Sequence, residues 1–279
     1  MIGRGAVRTQ PAAATRPDLR PPRPHPEWQA ATVTQVRLET PTARTLVLQV
    51  PGWAGHDAGQ HAELRLRRPD GSLAVRPYSI ASASRPGGFD LTIDHHPADP
   101  APLAQTLQAG AVTQVRGPAG DRIVWRPDQP EPIQLIAGGS GVVPLMAILR
   151  AHAQASSQAP LRLLYSVRRP ESVIYRAELE WRDNPAAHVS VTYAYSRAAP
   201  QGASRPPRRI GGGLVARATW PPGLAPTCYI AGPAAFVDTI TGLLIAAGHR
   251  PSRLRTESFT AARPAPASGR RPNGSERAA

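Results

Sequence analysis

The stretch PIQLIAGGSGVVPLMAIL, residues 132–149, decides the fold class. IQLIA (133–137) is a short apolar run bounded by glycine, which suits a buried strand and is too short for a helix. Gly138, Gly139 and Gly141 make a turn, and Pro144 sits where a first helical turn begins. A strand entering a helix through glycines opens a βαβ unit. Glycine lets backbone approach a ligand closely and adopt positive φ, and the unpaired amides at a helix start attract an anion. The turn therefore reads either as a phosphate cradle or as an unliganded β–α connection. Its spacing is G-G-x-G-x-x-P, not the G-x-G-x-x-G dinucleotide fingerprint, and no acidic residue follows in a clear ribose-binding position.

Downstream the pattern repeats. LRLLYSV (161–167), VSVTYAY (189–195) and a strand starting at Tyr229–Ala231 alternate with helical segments at about 144–153, 175–183 and 234–247. That order predicts a parallel sheet. Residues 198–213 (AAPQGASRPPRRIGGG) are expected to form a surface loop. Upstream, from Trp28 to Arg126, short alternating runs (ATVTQVRLE, TLVLQV, HAELRLR, RPYSIAS, FDLTID, VTQVRG) are divided by PGWAG, PDG and RPGG. Such runs predict an antiparallel barrel or sandwich. The expected division is a disordered leader at 1–26, a barrel domain at 27–128, an α/β domain at 129–260 and a disordered tail at 261–279.

The chain has 279 residues, 41% of them hydrophobic and 19% charged, which suits a folded globular protein of one or two domains. Its 33 cationic side chains are all arginine, against 19 acids. Half of the net charge of +14 falls on the two Pro/Ala/Gly-rich ends, without aromatic interleaving or a recognition motif, which argues against a nucleic-acid partner. The remaining charge could steer an acidic protein partner. A single cysteine, Cys228, excludes an internal disulfide and an iron–sulfur cluster held by this chain. No apolar h-region follows the N-terminal arginines, and the uncharged stretch 132–149 is broken by glycines and proline. These features predict a soluble, cytoplasmic protein without membrane insertion.

A second motif, RPYSIAS (76–82), lies on an expected barrel strand. Alternation sends Arg76 and Tyr78 to one face and Pro77 and Ser79 to the other. A cation beside an aromatic ring suits a ligand with a phosphate and a flat ring. An ordinary half-buried strand is the competing reading. His56, His61, His95 and His96 lack the partner set of a metal site, Trp53 is expected to pack under the barrel, and no nucleophile elbow is present.

With these motifs in order, the chain resembles the ferredoxin–NADP reductase superfamily (FAD-binding FR-type), most of all bacterial single-component ferredoxin reductases without a fused iron–sulfur domain. The resemblance runs from Trp28 to Phe259 through AGQH (58–61), RPYSIAS, IAGGSGVVP, LLYSVRRPESVIYRAEL (163–179), AGPAAFV (231–237) and RTESF (255–259). It implies a six-stranded antiparallel Greek-key β-barrel followed by a Rossmann-like parallel α/β nucleotide-binding domain. It also implies an NAD(P)H-dependent oxidoreductase that passes hydride from nicotinamide to flavin, then single electrons to a separate ferredoxin-like or oxygenase partner.

By the same resemblance Tyr78 packs on the isoalloxazine, Ser79 bonds near its reactive nitrogen and Arg76 neutralises the pyrophosphate. Pro77 shares that strand, and Ile80, Ala81 and Ser82 line the ring edge. Gly138, Gly139, Gly141 and Pro144 hold the nicotinamide nucleotide, with Gly232 and Pro233 before the last helix. Glu257 relays a proton and Phe259 covers the flavin, a plain exposed carboxylate being the competing reading of Glu257. Ser166, Arg168, Ser196 and Arg197 end two strands, and guanidinium groups there suit a 2′-phosphate, which favours NADPH over NADH; chance placement among so many arginines competes.

Three departures stand out. Ala231 replaces the family's cysteine before Gly-Pro, and Cys228 is three residues too early to take its role. Ala98-Asp99-Pro100-Ala101-Pro102 replaces the Gly-x-x-Ser/Thr flavin-phosphate loop, which predicts weaker binding or FMN in place of FAD. The chain also continues twenty residues beyond Phe259. Two alternatives to the reductase follow: a flavin reductase releasing free reduced flavin, and a non-catalytic redox sensor.

Overall fold

Alternation of apolar and polar side chains builds the first half. Six strands, β1 (Gln29–Leu38), β2 (Ala43–Gln49), β3 (His61–Arg67), β4 (Leu73–Ser79), β5 (Gly88–Asp94) and β6 (Val112–Ala119), form one antiparallel sheet in the order β4-β3-β6-β1-β2-β5. In β3 every second residue, Ala62, Leu64 and Leu66, is buried, the pattern expected of a sheet with one face on a core. The sheet's two ends meet through the bridge Ile80–Leu91, so it closes as a barrel. Trp53 lies under it, 4.3 Å from the Phe89 ring and 3% exposed.

This computed structural model describes residues 27–95, 103–184, 188–203 and 205–259. The expected leader (1–26), the tail (261–279) and the segment Ala98–Pro102 lie outside the described residues.

The second half is a parallel sheet in the order β11-β10-β7-β8-β9, made of β7 (Ile133–Gly138), β8 (Leu161–Val167), β9 (Val189–Tyr195), β10 (Thr227–Pro233) and β11 (Leu254–Phe259). All six residues of β7 are buried, as a central strand covered on both faces requires. Burial of Ile133, Leu135 and Ile136 contributes roughly 1.5–3 kcal/mol each. The helices are α1 (Val142–Gln154), α2 (Arg176–Arg182), α3 (Gly212–Ala218) and α4 (Ala234–Ala246).

Two elements differ from expectation. β4 starts at Leu73, three residues before the arginine of its motif, and α3 begins inside the glycine run that read as loop. Leu214, Val215 and Ala218 bury one side of α3, and that packing outweighs the poor helix propensity of Gly212 and Gly213. One apolar cluster then joins the halves. Ala43, Ala58, Ala81, Ile123 and Trp125 pack with Leu145, Met146 and Leu149 of α1. Among the described residues no helix is long and apolar enough to cross a membrane.

Candidate active site

Apart from the Ile80–Leu91 bridge, no ladder pairing joins β4 to β5 among the described residues, and a cavity of about 990 Å³ opens along this seam. Arg76, Pro77, Tyr78 and Ser79 line its barrel side. Gly138, Gly139, Ser140, Ser166, Arg168 and Pro233 line it at the C-terminal ends of β7, β8 and β10, and β11 adds Glu257 and Phe259. Tyr78 and Gly139, sixty-one positions apart, thus face one space. Strict alternation would have kept Pro77 and Ser79 away from Arg76 and Tyr78. As an end strand of its sheet, β4 has one edge without a ladder partner, and the cavity wraps that edge to reach both faces.

The two halves touch through Ser79, whose Oγ donates to Glu257 Oε1 at 3.3 Å. Burial pushes the Glu257 carboxyl above its ordinary value, against the opposing effects of this hydrogen bond and the Arg122 charge. Directly across from Ser79 in the β3–β4 ladder stands His61, which also lines the cavity. Burial pushes its imidazole down, opposed by Glu63. Gly120 closes against this ring, since a Cβ there would sit 2.9 Å from Nδ1. From the sequence His61 receives no role at the site, standing only within the AGQH block and among the histidines that lack a metal partner set. Its signal was the Gln60-His61 pair opening the strand opposite RPYS. Among the described residues no group of three His, Cys, Asp or Glu could hold a metal.

The glycine turn divides its labour. Gly139 adopts φ +55° with no atom beyond its chain neighbours within 4 Å of where a Cβ would stand, so bare backbone faces the cavity. Gly141 does not line it. A Cβ there would come 2.1 Å from the Ala231 carbonyl oxygen, so glycine is needed for β10 to pack closely. Pro144 is buried in the first turn of α1, and Gly232 is buried where a Cβ would meet the Phe236 ring at 2.9 Å. These three support the turn from behind. Phe236, absent from the expected set, lines the cavity with its ring over Gly138.

Three more expected ligand residues do not line the cavity. Ile80, Ala81 and Ser82 are buried: the Ile80 amide donates to the Gln60 carbonyl at 2.9 Å, the Ala81 amide to the Asp90 carbonyl at 2.8 Å, and Ser82 Oγ accepts the Asp90 amide at 3.1 Å. Strand pairing occupies them where β4 ends. At the other rim, Ser166, Arg168 and Ser196 line the cavity, but Arg197 does not and is exposed. Its amide donates to the Arg168 carbonyl at 2.9 Å, which ties the two strand ends together and leaves the guanidinium outside. Cys228 lies near the opposite end of β10, buried, with Sγ 3.9 Å from His249 Nδ1 and its thiol pushed up to about 12 by burial.

Comparison with known proteins agrees with this geometry. Residues 135–241 match the family described as Oxidoreductase NAD-binding domain. The chain is 35% identical over 153 residues to a Ferredoxin–NADP reductase B of Sorangium cellulosum, covering 53% of this chain and 61% of that one. It is 31% identical over 220 residues to the ferredoxin–NAD(+) reductase component of an alkene monooxygenase system of Xanthobacter autotrophicus, covering 78% and 65%. The chain therefore spans less than two thirds of these curated relatives. Among solved structures, the flavohem-like FAD/NAD binding domain of a nitric oxide dioxygenase from Vibrio cholerae superposes with a TM-score of 0.75 at 18% identity, covering 84% of this chain and 99% of that one. With a closed six-stranded barrel, a five-stranded parallel sheet and a cavity at their junction, the chain shares the fold of that FAD/NAD binding domain, and its second half is similar to the Oxidoreductase NAD-binding domain family.

Proposed function

We propose that this chain is an NAD(P)H-dependent flavoprotein reductase serving a separate one-electron acceptor, a ferredoxin or an oxygenase component. The observation that carries the reading is the meeting of Tyr78, Ser79, Gly139 and Glu257 around one cavity. The residues fit the two cofactors: an aromatic ring and a cation line one side, and the other presents glycine backbone that a Cβ at Gly138 would close against Phe236 at 2.7 Å. FAD is the favoured flavin and NADPH the favoured nucleotide. Bound flavin and nicotinamide supply the redox chemistry, hydride passing from one to the other and electrons then leaving singly.

The chain's own residues bind and orient. Tyr78 offers its ring as a platform, and the exposed Arg76 guanidinium neutralises phosphate. Ser79 donates to Glu257 while its oxygen stays open to a second partner, and Glu257 holds a proton toward higher pH because it is buried. Arg168 at the rim reads a 2′-phosphate. The names of two relatives, a ferredoxin–NADP reductase and the ferredoxin–NAD(+) reductase component of an alkene monooxygenase system, support a separate protein acceptor.

Absorption spectroscopy of the full chain tests this. Protein given FAD should retain it and bleach when NADPH is added without oxygen, more readily than with NADH. A chain that takes up no flavin, or whose flavin ignores both nucleotides, would sink the proposal, and turnover that needs excess free flavin would select a flavin reductase instead. Arg76→Ala should weaken flavin retention by about tenfold, the range for one charge-assisted contact, and leave NADPH affinity nearly unchanged.

A further inference from the structure

The seam between β4 and β5 is held from outside the barrel. On one edge, Arg150 of α1 donates from Nη1 to the Ala81 carbonyl at 2.7 Å. On the other, the Tyr175 hydroxyl donates to Thr92 Oγ1 of β5. Thr92 meets Thr45 at 2.7 Å, and Thr45 donates to Glu39 Oε1 at 2.6 Å, so the hydroxyl donors run in one direction and end on a carboxylate. The two outside residues also hold each other, with the Arg150 guanidinium 4.8 Å above the Tyr175 ring. Glu178 fixes that guanidinium through Nε at 3.1 Å and is itself fixed by Arg182 at 2.9 Å.

Tyr175 holds φ +60°, a conformation that bulky side chains avoid, and it is 3% exposed. Such a backbone persists only where its surroundings over-determine it. A phenylalanine would fill the same volume, so packing alone does not account for a hydroxyl aimed across the junction. The strand that the hydroxyl grips is a cavity wall: Thr92, Ile93 and Asp94 line the same space as Arg76–Ser79.

We propose that Arg150 and Tyr175 form a clamp from the α/β half that sets the width of the barrel seam, and with it the shape of the flavin cavity. They are positioning residues, acting through Ala81 and Thr92. The inference rests on the flavin reading above for the cavity's occupant, but the clamp itself is observable without flavin.

Two measurements on the full chain decide it. In FAD titrations of flavin-free protein, Tyr175→Phe and Thr92→Val should each weaken binding about tenfold, Thr92→Ser should match the unaltered chain, and the double variant Tyr175→Phe/Thr92→Val should be no worse than either alone. In flavin-free protein, Tyr175→Phe should quicken amide hydrogen exchange at residues 79–82 and 88–94, with β10 and α4 unchanged. Unchanged exchange at the seam, additive losses in the double variant, or a lower melting temperature with FAD affinity intact would each overturn the clamp. If the unaltered chain takes up no FAD, the flavin reading fails, and the exchange measurement still decides the clamp.

Discussion

Glu257 and His56 titrate with opposite consequences. Glu257 is raised by burial, so between the ordinary carboxylate range and its raised value the folded chain binds more protons than the unfolded one. Its contribution to stability is therefore full at low pH and falls as pH rises through that window. Glu257→Gln should remove the fall, and denaturant midpoints from pH 4 to 8 check this; parallel profiles for the two proteins would refute it. His56 runs the other way. Trp53 Nε1 donates to its Nδ1 at 3.3 Å, so the ring proton sits on Nε2, which donates to the Ser82 carbonyl at 3.0 Å. Burial lowers its pKa, and stability present above about pH 6.5 should drain away as pH falls below it. His56→Asn should be less stable overall, yet flatter between pH 5 and 7 by the same midpoints.

The β7–turn–α1 element separates two glycines that look alike in sequence. Gly139→Ala meets open space and suffers only its φ of +55°, so it should cost about 1–2 kcal/mol. Gly141→Ala drives a methyl into the backbone at Ala231, where nothing flexible can yield, and should cost more than about 4 kcal/mol. Equal losses in chemical denaturation would contradict this division. The element's existence was legible from its apolar run, glycines and proline. The role of Gly141 was not, because close approach to β10 is a contact between residues ninety positions apart. The Ser79–Glu257 bond spans 178 positions, and no local spacing reports it. The pairing of Ile80–Ser82 was not legible either, because alternation shows that a strand has two faces, not where pairing takes over at its end. Helix α3 hid in a glycine run whose composition reads as loop, and only its buried face against the sheet holds it.

Across the whole molecule, the shared apolar cluster makes the barrel and the parallel sheet depend on each other. Ala43, Ala58 and Ala81 belong to a core that includes Leu145, Met146 and Leu149, so neither half buries its full apolar surface alone. Thermal unfolding should accordingly be one transition, with tryptophan fluorescence and far-ultraviolet circular dichroism coinciding. Two resolved transitions would show that the halves are independent. The lone sulfhydryl under β10 supplies a third probe of the same event. Screened from solvent and reluctant to ionise, Cys228 should stay inert to alkylating reagents until the sheet around it parts, so its labelling rate becomes an internal clock for opening of the native chain.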